Sequence, residues 1–127
     1  MKYLLDTHIF IWWTLDHPKL SGSAKATISD TDNLIYVSSA SIWEIAVKSS
    51  VGKLSLPESP EIFVRKQLDM NDFNVLDITV GHSLGILELP MHHKDPFDRI
   101  LIAQAKYEDM IIITEDPLIK QYKVNVM

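Results

Sequence analysis

The sequence contains no cysteine among its 127 residues. Disulfide bonds, thiol chemistry and metal sites with cysteine ligands are therefore excluded. Positive charge is also scarce, because 12 lysines and arginines face 17 aspartates and glutamates, and the net charge is −5. Proteins that bind nucleic acid through bulk charge are usually basic. A nucleic-acid role for this chain would need a local basic patch, or metal ions that offset acidic side chains.

Long apolar runs are missing as well. The apolar segment that ends at Trp13 is interrupted by Asp6 and His8 and is not followed by a small-residue cleavage site, so it does not fit a signal peptide. No segment reaches the roughly 18 apolar residues of a membrane span. We therefore expect a cytoplasmic protein without membrane association. The length and the 46% apolar content predict a single globular domain over residues 1–127.

Short apolar runs alternate with helical patterns along the chain. The predicted strands are 3–5, 34–37, 73–77 and 110–114, with a possible edge strand at 124–126. Helical spacing or a cap followed by proline predicts helices between these strands, including those that begin near Ser59 and Asp95. Strands that alternate with helices predict an α/β fold, with a mostly parallel central sheet of four to five strands flanked by helices.

Four acidic residues lie at the ends of these predicted elements. Asp6 and Asp116 follow strands directly, whereas Glu44 and Asp98 lie in the first turns of predicted helices. In a parallel α/β sheet, the carboxyl ends of the strands and the amino ends of the helices share the edge where ligands bind. The topology therefore predicts that the four acids lie at one edge.

Each acid also has a structural interpretation. The aspartates are suited to capping helices or to their first turns, and Glu44 with Ser41 fits a capping box. As a group they are harder to explain, because two carboxylates about 4 Å apart repel by about 4 kcal/mol at an effective dielectric near 20. A cleft that contains several of them needs a cation or a retained proton. Because oxygen ligands suit Mg²⁺ or Mn²⁺, metal binding is the better interpretation of the group.

Four segments of the sequence resemble a known family. They read LLDTH at 4–8, SSASIWEIA at 38–46, DPFDRILIAQA at 95–105 and ITED at 113–116. In this order and spacing the chain resembles PIN-domain ribonucleases, specifically the VapC-type toxins of type II toxin–antitoxin pairs. Each segment alone is weak evidence, whereas the ordered set is specific and extends over almost the whole chain.

The resemblance implies a single PIN-like domain that acts as a Mg²⁺- or Mn²⁺-dependent endoribonuclease. Its catalytic and metal-binding quartet would be Asp6, Glu44, Asp98 and Asp116. It also implies an RNA substrate, a homodimer and a cognate antitoxin protein that blocks the site. Asp95 is an alternative to Asp98 as the third acid, but the residues that follow Asp98 fit the family pattern better.

Further residues near the quartet are candidates for supporting roles. Thr7, Ser38 and Asp95 could hydrogen-bond a ligand carboxylate or a metal-bound water, or could simply cap helices and end strands. The candidates for substrate binding are the basic side chains near the acids, although exposed basic residues are often just solvated. They are His8, Lys48, Lys53, His93 and Arg99.

Other functions remain open from the sequence. The chain could be a housekeeping PIN nuclease of RNA processing, or a non-catalytic module whose acids bind a basic partner. A phosphotransfer enzyme with Asp6 as nucleophile is disfavoured, because the segment from Asp6 to Phe10 reads DTHIF and lacks the second aspartate of the DxDxT pattern.

Overall fold

A sheet of parallel strands forms the centre of the molecule. The computed structural model describes residues 1–122 and 126–127. Its strands are β1 (Lys2–Leu5), β2 (Leu34–Ser38), β3 (Asn74–Leu76) and β4 (Ile111–Ile113), in the spatial order β3-β2-β1-β4. All adjacent pairs are parallel. The predicted α/β class with a mostly parallel sheet is confirmed.

Helices connect the strands and cover both faces of the sheet. Their bounds are α1 Thr7–Thr14, α2 Gly22–Ser29, α3 Ser39–Ser50, α4 Pro60–Met70, α5 Val80–Gly85 and α6 Pro96–Glu108. Two short 3₁₀ turns occupy Ile86–Glu88 and Ile119–Gln121. Within the described residues, no helix combines the length and apolar character needed to cross a membrane.

Successive leucines of β1 point to opposite faces of the sheet and separate two apolar clusters. Leu5 packs with Ile9 and Phe10 of α1 on one face, in a cluster that also contains side chains of α2, α3 and α4. Leu4 packs on the other face with Leu101 and Ile102 of α6. Burial of each such side chain stabilises the fold by about 1.5–3 kcal/mol. β1 is therefore buried on both sides, as the run Tyr3–Leu5 predicts.

The strand register aligns the carboxyl ends of the three strands that lead to the candidate site. Leu5 pairs with Val37 of β2 on one side and with Ile113 of β4 on the other. The residues that follow these positions therefore emerge along one edge of the sheet. The backbone N–H of Asp6 extends the register by donating to the carbonyl oxygen of Ile113 at 3.0 Å.

The structure corrects one local prediction and describes only part of another. The predicted capping box of Ser41 and Glu44 is wrong, because α3 begins earlier in the chain than expected. Ser38 is the N-cap, and its hydroxyl accepts a hydrogen bond from the N–H of Ala40. Glu44 therefore lies in the second turn of α3. Of the predicted edge strand 124–126, residues 124 and 125 lie outside the described residues, and Val126 forms an isolated parallel bridge with Ile112.

Candidate active site

Asp6 is buried at the carboxyl end of β1, with 3% of its surface exposed. It occupies the N-cap position of α1, but its side chain makes no capping hydrogen bond. Instead, Oδ2 accepts a hydrogen bond from the hydroxyl of Thr114 at 2.8 Å, and Oδ1 has no partner among the described residues. Burial raises the pKa of Asp6, although the Thr114 hydrogen bond opposes this change. The carboxylate is thus fixed in direction and keeps one oxygen free.

Glu44 shows the same arrangement on α3. Its surface is 2% exposed, and Oε2 forms an ion pair with the ammonium group of Lys48 one turn along the helix. The hydrogen bond to Glu44 raises the pKa of Lys48. Oε1 is buried and has no hydrogen-bond partner in the described part of the chain. A second acidic side chain therefore has one oxygen anchored and the other free.

Asp98 and Asp116 lie on the more exposed side of the site and meet at His93. Nε2 of His93 is 2.7 Å from Oδ2 of Asp98 and 3.5 Å from Oδ2 of Asp116. The other oxygen of Asp116 accepts a hydrogen bond from the N–H of Leu118 at 2.9 Å. One ligand atom from each of His93, Asp98 and Asp116 lies within 4.8 Å of the other two. These three side chains are therefore close enough to share one ion.

The negative charges of the four acids influence one another. Burial and the charges of Asp6, Asp95 and Glu44 together raise the pKa of Asp98 to about 7, against the opposing effect of His93. The charge of Asp116 in turn raises the pKa of Asp6. The structure thus brings Asp98 and Asp116 together at His93, with Asp6 and Glu44 within electrostatic range of Asp98.

The donor set of this cleft fits a divalent cation. Free buried carboxylate oxygens are unfavourable unless positive charge or hydrogen-bond donors face them. Asp6 and Glu44 each present one such oxygen, and Asp98 and Asp116 add carboxylates nearby. Carboxylate oxygens are the protein ligands that suit Mg²⁺ and Mn²⁺.

The structure distinguishes the roles of Asp95 and Asp98. Asp95 is the N-cap of α6, where its Oδ1 accepts hydrogen bonds from the N–H groups of Phe97 at 2.9 Å and Asp98 at 3.3 Å. The carboxylate of Asp98, in contrast, faces His93 and the other acids. The geometry therefore favours Asp98 as the third acid of the cleft.

The hydroxyl groups predicted to support the acids have other partners. The hydroxyl of Thr7 donates to that of Ser41 at 2.8 Å and so links α1 to α3. Ser38 caps α3. The hydroxyl that contacts Asp6 belongs to Thr114, which is not among the site residues predicted from the sequence. Pairing of the two apolar strands, in which Leu5 lies opposite Ile113, is the feature that points to Thr114 as the neighbour of Asp6.

Three of the basic candidates lie together in one pocket. His8, Lys48 and Lys53 line a pocket of about 260 Å³ beside Glu44, together with Trp12.

Arg99, in contrast, makes hydrogen bonds within the fold. Its guanidinium donates to the carbonyl oxygens of Pro90 and Ile86 and to the hydroxyl of Tyr122. It braces the loop before α6, and we do not include it among the phosphate contacts.

Comparison with known proteins identifies the class to which this fold and acidic cleft belong. The family model described as the PIN domain matches residues 3–125. The chain therefore belongs to the PIN domain family.

Two curated relatives come from Mycobacterium tuberculosis (strain ATCC 25618 / H37Rv). Ribonuclease VapC22 is 26% identical over 121 residues, which cover 94% of this chain and 91% of that protein. Ribonuclease VapC16 is 32% identical over 71 residues, which cover 53% of this chain and only 50% of that protein. The chain is thus similar to VapC ribonucleases, over nearly the full length of one of them.

Solved structures share the fold at low sequence identity. VapBC2 from Rickettsia felis, bound to a DNA fragment from its promoter, has a TM-score of 0.75 at 18% identity, with 100% of this chain and 98% of that chain covered. FitAcB from Neisseria gonorrhoeae has a TM-score of 0.65 at 17% identity and covers 98% of this chain and 96% of that chain. These similarities support the single PIN fold.

Proposed function

We propose that this protein is the toxin of a VapBC-type toxin–antitoxin pair, a Mg²⁺- or Mn²⁺-dependent endoribonuclease that acts in the cytoplasm. The observation that carries the proposal is the pair of buried carboxylates, Asp6 and Glu44, which each keep one oxygen without a partner in residues 1–122 and 126–127 and whose charges act on Asp98. The ribonuclease names of VapC16 and VapC22 support the reaction class. The family model supports the fold in which the acids meet.

In this proposal Asp6, Glu44 and Asp98 hold the cation, and Asp116 completes or orients the set. A bound divalent cation supplies a nucleophile from water near neutral pH and offsets the charge that develops on phosphate oxygens. Thr114 holds Asp6 and Lys48 holds Glu44, so that the oxygens used for binding do not rotate away. Side chains fixed in this way keep the binding geometry without reorganisation.

The substrate is RNA, and its phosphates must approach a strongly acidic cleft. The pocket beside Glu44 provides positive charge for this approach through Lys48 and Lys53, and His8 adds an imidazole that can hydrogen-bond to phosphate. Lysine and histidine contact phosphates without reading sequence. Trp12, in the same pocket, offers a ring on which an unpaired base can stack. The pocket therefore suits a nucleotide next to the scissile phosphate.

We further propose that the chain forms a homodimer and binds a cognate antitoxin protein. Trp43 is 61% exposed and Met91 is 70% exposed, and the ring of Trp43 contacts that of Phe97 at a centroid distance of 5.0 Å. This apolar surface suits a subunit contact.

A different surface suits the antitoxin. An apolar groove of about 890 Å³ between α3 and α4, lined by Ile42 and Leu68 among others, supports docking of that protein. VapBC2 and FitAcB, which share the fold, are named as two-component assemblies.

The direct test is cleavage of RNA by the purified chain. With Mg²⁺ or Mn²⁺ we expect endonucleolytic products whose ends map to defined positions, and with EDTA we expect none. Glu44→Gln should reduce cleavage by about 100-fold or more, as expected for loss of a catalytic electrostatic group. The matched control is Glu58→Gln, because Glu58 is exposed and its ion pair in the described residues is with Lys66, on the surface.

Cleavage assays, calorimetry and expression of the chain in cells together distinguish the alternative functions. A non-catalytic partner-binding module would cleave no RNA under any condition and would bind no Mg²⁺ in the millimolar range by calorimetry. A housekeeping nuclease would cleave RNA, but its expression alone would not arrest growth, and no neighbouring gene would relieve such an arrest. Either result would contradict the proposal.

A further inference from the structure

The most specific feature of the cleft is the histidine on its exposed side. Nε2 of His93 approaches carboxylate oxygens of both Asp98 and Asp116, at 2.7 and 3.5 Å. Ligands that sit beside one another on an octahedral ion lie about 3 Å apart when each bond is about 2.1 Å. The observed spacings are short enough for the three ligand atoms to share an ion.

The direction of the ring supports this interpretation. Although Nε2 is buried and close to two carboxylates, it has no hydrogen-bond partner among the residues described, because its N–H direction points at neither oxygen. An ordinary histidine–aspartate hydrogen bond at 2.7 Å would be close to linear. The short contact between Nε2 and the Asp98 oxygen is therefore not an ordinary hydrogen bond, and the nitrogen is left without a donor–acceptor partner in the described part of the chain.

Independent evidence for an ion comes from the buried side of the same cleft. Asp6 and Glu44 are 3% and 2% exposed, and each has one carboxylate oxygen without a partner in the described residues. The negative charges of both groups raise the pKa of Asp98, and Asp98 contacts His93. The unpartnered oxygens therefore belong to groups within electrostatic range of Asp98, the carboxylate that contacts His93.

We propose that His93 is a nitrogen ligand of the cation, and that it makes this centre select Mn²⁺ over Mg²⁺. The inference rests on the proposed function only in that the same ion would serve both. Imidazole nitrogen is a ligand for transition metals, whereas Mg²⁺ prefers carboxylates and water. A mixed set of one nitrogen and several oxygens therefore favours Mn²⁺ relative to a centre built from acids alone.

Ion binding through Nε2 would change one contact of the imidazole with the surrounding loop. Nδ1 accepts a hydrogen bond from the N–H of Asp95 at 3.2 Å, and the carbonyl of His93 accepts one from the hydroxyl of Tyr122 at 3.5 Å. The Asp95 contact places the ring proton on Nε2. An ion bound through Nε2 takes the place of that proton, so Nδ1 must become the donor and this long contact must be given up. The loss is that of one long hydrogen bond.

The test compares ion binding by the wild type, His93→Asn and His92→Asn in calorimetric titrations with MnCl₂ and MgCl₂. His92 is the matched control, since it is adjacent and exposed and packs edge-on against Tyr122 at 5.1 Å. We expect His93→Asn to weaken Mn²⁺ binding by about tenfold or more, with a change of only about twofold to threefold for Mg²⁺. His92→Asn should change neither. Equal weakening for both ions in His93→Asn would contradict the proposal.

Pulsed EPR of Mn²⁺ gives a readout that depends on neither activity nor stability. Protein labelled with ¹⁵N-histidine should show a directly coordinated nitrogen in the wild type and in His92→Asn, and none in His93→Asn. A wild-type protein that cleaves RNA but lacks this coupling would refute the role of His93 and leave the proposed function intact. A protein that shows the coupling but cleaves no RNA under any condition would refute the nuclease proposal alone.

Discussion

The two sides of the acidic cleft are built differently. On one side, Asp6 and Glu44 are almost fully buried, and each is held by a partner from the framework of the fold, Thr114 or Lys48. On the other side, the side chains of Asp98 and Asp116 are 13% and 30% exposed. The buried side is fixed before any ligand arrives, whereas the exposed side can adjust its protonation and its contacts.

This difference predicts unequal roles in the reaction. In the proposed reaction, the buried carboxylates would fix the position of the ion, and Asp98 and Asp116 would complete the set and respond to pH. Substitutions on the buried side should therefore have large effects on catalysis. Substitutions on the exposed side should have smaller effects on rate and clear effects on pH dependence.

The largest expected effect is that of Asp6→Asn. Because an amide oxygen is a weaker ligand without charge, this variant should lose about 1,000-fold or more of the cleavage rate, compared with about tenfold for Asp116→Asn. The fold should persist, as removal of a buried charge relieves its desolvation. Rates measured by single-turnover cleavage of one defined RNA provide the comparison. The proposed difference between the two sides would be contradicted if Asp6→Asn cleaved RNA at the wild-type rate, or if Asp116→Asn lowered the cleavage rate more than Asp6→Asn did.

Thr114→Val should have the next largest effect. It leaves Oδ2 of Asp6 buried without its donor, which costs about 1–3 kcal/mol of unfolding free energy and raises the pKa of Asp6 further. Catalysis should fall by about 10- to 100-fold, the usual range for a residue that orients a ligand. Thr114→Ser keeps the hydroxyl and should restore most of both properties. Urea unfolding and cleavage assays measure the two effects, and a valine variant equal to wild type would contradict the anchoring role.

Lys48→Met tests the second anchor. Removal of the ammonium group leaves the charge of Glu44 buried and uncompensated, so stability in EDTA should fall by about 1–2 kcal/mol after allowance for the partial exposure of Lys48. Millimolar Mg²⁺ should recover part of the loss, since an ion can replace the lost charge. Lys66→Met is the control, because its partner Glu58 is exposed, and it should change stability by less than about 0.5 kcal/mol. Similar losses in the two variants would show that Glu44 does not depend on Lys48.

The fold could be predicted from the sequence because apolar spacing and cap residues are local signals. The run at Ile111–Ile113 and the proline after Asp95 mark a strand and a helix start without knowledge of their neighbours. The common edge of the acids followed from parallel topology. The start of α3 was misplaced, since Ser38, Ser39 and Ser41 are all plausible caps and only the end of β2 determines which one is used.

The contacts within the site could not be predicted. The partner of Asp6 depends on the register between β1 and β4, and the meeting of His93 with Asp98 and Asp116 depends on the path of a loop. Such contacts join residues that are remote in sequence and depend on side-chain direction. Spacing along the chain carries no information about them.

On the exposed side of the cleft, the raised pKa of Asp98 predicts that the stability of the fold depends on pH. Its pKa of about 7 exceeds the ordinary 3.8, so its contribution to stability is fully present below about pH 3.8 and is lost as the pH rises through about 7. In EDTA, the wild type should therefore lose more thermal stability between pH 5 and pH 8 than Asp98→Asn does, by roughly 5 °C. Asp32→Asn, at an exposed position, should follow the wild type. Parallel curves for wild type and Asp98→Asn would contradict the raised pKa.

The smallest effect is expected for the helix cap. Asp95→Asn keeps an oxygen that can accept the hydrogen bonds of the N–H groups of Phe97 and Asp98, so stability should fall by a few tenths of a kcal/mol and cleavage by less than about threefold. Asp95→Ala should cost about 1 kcal/mol. If Asp95→Asn abolished cleavage while Asp98→Asn did not, the assignment of the third acid would be reversed.

The central claim is that mutually repelling carboxylates in one cleft are stabilised by a divalent cation. Its most direct test is the melting temperature of the purified chain as a function of Mg²⁺ or Mn²⁺ concentration, with Asp6→Asn in parallel. The wild type should become steadily more stable once the ion exceeds its dissociation constant, by about 2.7 kcal/mol at 100 times that value, and Asp6→Asn should respond far less. A wild-type melting temperature that stays constant up to tens of millimolar of either ion would contradict the claim.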